Sequence, residues 1–188
     1  MRVLSMCWWI LLAVWLVLAT APAITAISAF TNLQELGLSV SGYDSYFGDD
    51  SRAQGRLAAG FVTDPVFRIT DIAQIAVILA IVLVLAILRG RPSGRPSIAN
   101  AVTVAFLVLA IILQAVLVLG FLPKMNEDLV AYRTAAKDNN AQVADQRLAS
   151  FNNLHPMAER LYGVRAFLVL GMIATSGFAA GHRRKEEE

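Results

Sequence analysis

Ile72-Ala-Gln-Ile-Ala-Val-Ile-Leu-Ala-Ile-Val-Leu-Val-Leu-Ala-Ile-Leu88 decides the fold: apart from Gln74 in its first turn, it is apolar all round. A helix without a polar face is buried on every side, in lipid or inside a much larger protein. The expected surrounding is lipid, because the run has no polar face and most of the chain shares its composition. In lipid each backbone polar group must be satisfied within the segment, so the stretch is a helix. Three further runs share its character, so that the spans read as Val3–Phe30, Ile69–Leu88, Ile98–Leu122 and Leu161–Ala180. Each reaches the roughly 20 residues that cross a hydrocarbon core of about 30 Å. Composition agrees: 57% of residues are hydrophobic and 16% charged, against roughly 45–50% and about 25% in soluble domains. The expectation is an all-α, integral membrane four-helix bundle forming a single membrane domain over residues 1–188.

Basic residues set the expected topology. The link Arg89-Gly-Arg-Pro-Ser-Gly-Arg-Pro96 carries three arginines and no acid, and the tail after residue 180 begins His182-Arg-Arg-Lys185 before three glutamates. Four crossings put both, together with Arg2, on one side, which the positive-inside rule makes cytoplasmic. Both termini are then cytoplasmic, and the segments 31–68 and 123–160 face out. Two readings stand for the first run: an uncleaved span, or a secretory signal ending at Ala19-Thr-Ala-Pro-Ala23. Hydrophobicity that continues to Phe30 favours the span. Trp8 and Trp9 suit an interfacial belt, and Cys7, the sole cysteine, can make no disulfide within one chain.

The two outer segments differ. Ser39 to Ser51 is rich in turn formers and reads as an irregular loop, with Tyr43, Tyr46 and Phe47 as an aromatic face for the membrane interface. Leu57 to Thr63 reads as a short apolar helix or re-entrant piece. Asp64-Pro65 suits the start of the second helix, with proline in the first turn and Asp64 as its cap. Asp71 and Gln74 then fall near the outer interface. In the other segment Met125, Leu129, Tyr132 and Ala136 recur at helical spacing, Asp138-Asn-Asn140 is a turn, and the pattern resumes through Leu148, Phe151, Leu154 and Ala158. This predicts an extramembranous helical hairpin continuous with spans 3 and 4, kinked or restarted at Pro156. Its apolar stripe needs a cover, which the segment Tyr43–Thr63 can supply.

Chemistry is sparse. His155 and His182, the only histidines, flank the fourth span about 40 Å apart, which excludes a bis-histidine haem within one chain. The sequence holds no cysteine–histidine cluster of metal spacing, no phosphate loop and no nucleophile elbow. No cofactor, no nucleic-acid partner and no enzymatic reaction are therefore expected. His155 and Glu159 share a helical face and, with Asp64, Asp71, Arg160 and Arg165, form a candidate polar cluster or partner site at the outer mouth of the bundle. The plainer reading has His155 packing the helix beside Pro156, and Arg165 reaching the interface by its long stem. Gln114 is the deepest strongly polar side chain, expected to make an interhelical hydrogen bond, with Thr103, Thr175 and Ser176 as lesser polar groups. Gly171 with Thr175, and Gly177 with Gly181, permit close helix approach.

The stretches Ala58-Ala-Gly-Phe-Val-Thr-Asp-Pro-Val-Phe67, Phe121-Leu-Pro123 and Phe151-Asn-Asn-Leu-His-Pro-Met-Ala158 resemble the transmembrane protein 205-like family, the domain of unknown function 4149. Gly60, Pro65, Phe67, Phe151, Leu154 and His155 are the matching positions, over about Gly60 to Ala180. The resemblance implies a small four-helix membrane protein and no particular activity. Expected partners are the lipid bilayer and a membrane protein or a second copy of the chain. The leading functional expectation is a non-enzymatic scaffolding, assembly or envelope-associated protein. The alternative is a small oligomeric transporter or channel, and an enzyme on lipid using His155 and Glu159 stands third.

Overall fold

A computed structural model describes residues 2–89 and 98–187. Among them are six α-helices, α1 (Arg2–Glu35), α2 (Asp44–Phe47), α3 (Ser51–Arg89), α4 (Ile98–Ala115), α5 (Leu122–Lys137) and α6 (Ala141–Glu187), with a π-helical turn at Val116–Phe121. Four helical stretches, Val3–Glu35, Ser51–Leu88, Ile98–Lys137 and Ala141–Ala179, are long and apolar enough to cross a membrane. Length and composition thus make the chain an all-α, multi-pass membrane protein. The arginine side chains of the 89–96 link, Gly181, and His182 with the basic tail, on which the expected sidedness rests, lie outside the described side chains.

The chain divides into two compact units. Unit 1 comprises Met1–Thr20, Asp71–Ala115 and Leu161–Glu188; unit 2 comprises Ala21–Thr70 and Val116–Arg160. Each of the four long stretches contributes a segment to both.

In unit 1 the core draws on all four stretches: Trp8, Leu12 and Trp15 of α1, Ile78 and Ile81 of α3, Leu107 and Ala110 of α4, and Val169 and Met172 of α6. Trp8, expected in an interfacial belt, is buried here instead. Its indole N–H finds an acceptor in Ser176 Oγ at 3.2 Å, which lets the large ring pack inward without a stranded donor. Gly171 allows α6 to lie against α4: a Cβ there would stand 2.7 Å from Phe106 Cε2. The unit's outer surface is a row of large apolar side chains, among them Ile10, Val17, Ile72, Leu79, Leu83, Leu109 and Phe167.

In unit 2 the helical hairpin forms as the spacing predicts. Its turn is built by Asn139 in the left-handed region (φ 54°), where asparagine is one of the few tolerated side chains. The Asn140 N–H returns to the Ala135 carbonyl at 2.8 Å, closing α5 in the manner of a Schellman cap, and Asn140 Oδ1 accepts from Val143 N–H to open α6. Tyr132, Ala135 and Ala136 of α5 and Ala144 of α6 pack with Tyr43 and Leu57, and Val40, Tyr46, Phe47, Leu129 and Leu148 surround them. The 43–63 segment therefore covers the stripe. Tyr43 and its neighbours are core rather than an interfacial face, because the hairpin's small alanines leave room for rings.

The second helix starts earlier than Asp64-Pro65 suggests. Its cap is Asp50, whose Oδ1 accepts from Ala53 N–H at 2.9 Å, an N-cap bond of the ordinary kind. Pro65 sits inside α3, where it removes a single hydrogen bond from an otherwise continuous helix. Pro22 and Pro156 likewise lie inside α1 and α6, so Pro156 does not start a helix. Pro123 has more effect: it has no N–H for the carbonyl four residues back, and the π-helical turn directly precedes it. Gly55 marks the tightest contact of the unit, since a Cβ there would lie 2.7 Å from Gln34 Cα and closer still to the Leu33 carbonyl oxygen.

Candidate functional site

The ionisable and amide side chains at the core of unit 1 gather in one layer. α3 brings Asp71 and Gln74, one helical turn apart; α4 brings Gln114; α6 brings Tyr162 and Arg165, three residues apart on one face. Arg165 and Gln74 are fully buried and Asp71 and Gln114 nearly so. Arg165 Nη1 donates to Gln114 Oε1 and lies 3.5 Å from Asp71 Oδ1. The Tyr162 hydroxyl donates to Asp71 Oδ2 at 2.7 Å, and its ring stacks under the guanidinium at 4.7 Å. Gln114 Nε2 reaches the Asp71 carbonyl at 3.4 Å. Alongside, Gln74 Oε1 accepts from the Trp15 indole at 3.2 Å, and its amide lies 3.5 Å from the Leu18 carbonyl.

Ionisable side chains at membrane depth are costly and are found where function or pairing retains them. Here a cation and an anion neutralise each other, and two polar side chains, Tyr162 of α6 and Gln114 of α4, bond to them. Arg165 is enclosed by protein rather than extended along the surface, with Gln114 and Asp71 at its Nη1. Gln114 makes the expected interhelical bonds. A second, smaller layer joins Thr103 and Thr175 at 2.7 Å.

The other members of the expected cluster belong to unit 2. Asp64, expected as a cap, pairs with Arg133 at 3.1 Å, whose guanidinium lies 4.3 Å from the Phe61 ring centre. His155 Nε2 meets Glu159 Oε1 at 3.1 Å on the surface, as the spacing of four predicts, and the imidazole stacks on Phe151 at 5.1 Å. The candidate set thus separates into Asp71 with Arg165 and Gln114, Asp64 with Arg133, and His155 with Glu159. Among the described residues, no three histidine, cysteine or acidic side chains come together to hold a metal.

Unit 2 contains an ionic centre of its own. Asp128, beyond the third apolar run, is buried and accepts from Ser150 Oγ at 2.6 Å, Arg147 Nη1 at 3.0 Å and Lys124 Nζ at 3.2 Å. The Ser150 hydroxyl, with Arg147 and Lys124, outweighs burial and holds the Asp128 carboxyl below the usual carboxylate range. Glu127 completes the group at 3.5 Å from both cations. The Tyr46 hydroxyl donates to Asp145 Oδ1 at 2.7 Å; burial, then Asp145, pushes that phenol above its ordinary value. These contacts clamp α5, α6 and the 43–63 segment together without leaving an obvious reactive group.

Sequence reasoning missed Tyr162, Trp15 and Asp128. A signal existed for two of them. Tyr162 precedes Arg165 by three residues, and Asp128 falls three after Met125 and four before Tyr132, squarely within the inward stripe. No family model, no curated protein and no solved structure matches the chain.

Proposed function

We propose that the chain is a non-enzymatic scaffolding or assembly protein, with its four apolar runs held in lipid and the 31–68 and 123–160 segments of unit 2 standing outside the bilayer, opposite the cytoplasmic termini, as the contact for a membrane partner. Helix length carries this reading. Stretches of 33 to 40 residues run about 50 to 60 Å, whereas a hydrocarbon core takes about 30 Å. The excess falls in unit 2, where Asp64, Glu127, Asp128, Lys124, Arg133 and Arg147 form ion pairs, while unit 1 presents apolar side chains outward. Membership of the transmembrane protein 205-like family forms part of the same proposal and would account for the four-helix plan.

The test is affinity purification from native membranes in mild detergent, with mass spectrometry. A stoichiometric partner is expected, lost when the exposed hairpin residues Val130 and Val143 are both changed to Asp and retained in Leu79→Ala. A chain that purifies alone contradicts the reading. The buried Asp71–Arg165 pair favours a second one, a small carrier: solute flux in liposomes that disappears in Gln114→Leu would support it over the scaffold.

A further inference from the structure

Arg165 uses only part of its guanidinium. Nη1 faces Gln114 and Asp71, whereas Nε and Nη2 are buried and make no hydrogen bond; Asp71 Oδ1 also makes none. Nε and Nη2 carry the side edge of the guanidinium, two parallel N–H bonds whose spacing matches the two oxygens of a carboxylate. A buried donor without an acceptor is destabilising, and more so when charged. Two on one edge form an unpartnered bidentate donor, with the likewise unpartnered Asp71 Oδ1 in the same layer.

Charge limits what can bind there. Arg165 and Asp71 already neutralise each other, so a monoanion on the free edge would leave one uncompensated negative charge in a low-dielectric interior. Neutrality is restored if a proton arrives with the anion. Asp71 is placed to take it, because Oδ2 is occupied by Tyr162 while Oδ1 is open to a hydrogen. The titratable groups facing Asp71 are Tyr162 and Arg165, both of α6; α4 presents the neutral amide of Gln114, and α1 presents Trp15 through Gln74. Outward of the layer, Ile72, Ile75, Ile112 and Val164 are exposed, so an apolar tail attached to the anion has a lipid-like surface to follow.

We propose that Arg165 binds the carboxylate of an amphipathic monoanion through its Nε/Nη2 edge, and that Asp71 takes up one proton for each carboxylate bound. The O–H bond forms on Asp71 Oδ1 with a proton given up by the buffer acid in solution, which is left as its conjugate base; the Arg165–Asp71 ion pair gives way to an Arg165–carboxylate pair, and nothing is oxidised or reduced. This goes beyond the scaffolding reading, which concerns unit 2, and either can fail without the other.

The test is calorimetric titration of the full chain in lipid nanodiscs with laurate, against empty nanodiscs, in two buffers of different ionisation enthalpy. One laurate should bind per chain with uptake of one proton, and dodecanol, with the same tail and no carboxylate, should not compete. Arg165→Lys keeps the charge but loses the planar edge and should weaken binding about tenfold or more. Asp71→Asn should bind laurate without the proton. Acetate separates the sources: if it binds too, carboxylates enter from water, and if laurate alone binds, they enter from lipid. Competition by dodecanol equal to that of laurate, absence of saturable binding by the folded wild-type chain, or unchanged proton uptake in Asp71→Asn overturns the proposal.

Discussion

Each unit buries one aspartate, and the two are compensated in different ways. Asp71 of unit 1 meets a guanidinium that is itself fully buried, with a phenol donating to Oδ2 and an amide bonding the Asp71 backbone carbonyl. Asp128 of unit 2 meets Lys124 and Arg147, whose side chains are 46% and 38% exposed. Water therefore solvates the far side of both cations in unit 2 and neither charge in unit 1. A buried pair without solvent depends wholly on its own geometry, because desolvation of both ions has to be offset by their mutual attraction and hydrogen bonds. The outer surfaces differ in part: unit 1 turns isoleucine, leucine and phenylalanine outward, whereas unit 2 combines exposed apolar side chains such as Ile24, Ile27 and Leu119 with the ionised Lys124, Glu127 and Arg147.

The sharpest way to break this contrast is to remove one partner of the dry pair. Arg165→Leu leaves Asp71 buried and uncompensated and should cost about 3–5 kcal/mol, whereas Arg165→Leu with Asp71→Leu should recover most of that loss. Detergent-titrated unfolding of the purified chain measures both, and equal effects of the single and double variants would deny the coupling. Next in size are the close glycines. Gly55→Ala meets backbone, which cannot step aside, and should cost about 1–3 kcal/mol; Gly171→Ala meets the Phe106 ring, which can turn, and should cost less. A larger loss at Gly171 in the same assay would reverse that ranking.

Acid separates the units by a smaller effect. The Asp128 carboxyl lies below its ordinary value when folded, so its contribution is complete above the unfolded value of about 4 and is lost as pH falls through the lowered folded value. Amide exchange in the hairpin should quicken over that acid range and lose this step in Asp128→Asn. The smallest change is Thr103→Val, which deletes the bond to Thr175 at about 0.6 kcal/mol, the usual value for one interhelical bond in a membrane protein.

How much of this was legible follows from what each feature depends on. The apolar runs and the hairpin are local patterns, and both read correctly from spacing alone. The helix start was misplaced because Asp64-Pro65 carries a strong local signal, while Asp50 acts as a cap only once Gln54 pins the loop by accepting from Val40 N–H and donating to the Gly48 carbonyl. Arg165 was read correctly as a neighbour of Asp71, but its full enclosure was missed for a related reason. A lone arginine near a helix end favours the interface, and only the convergence of Asp71, Gln114 and Tyr162 from other segments makes burial the better state. His155 and Glu159 were paired correctly because four residues on one helix suffice to decide it.

The proposed placement of the apolar runs in lipid and of the hairpin in water is tested most directly by thiol labelling in intact membranes. Leu79 of unit 1 and Asp138 of unit 2 are both exposed on the protein surface, so only the bilayer distinguishes them. In a Cys7→Ser background, Asp138→Cys should react with a water-soluble maleimide once the membrane side it faces is accessible, and Leu79→Cys should stay unlabelled until detergent is added. Rapid labelling of Leu79→Cys in the membrane, or protection of Asp138→Cys from both sides, would contradict that placement.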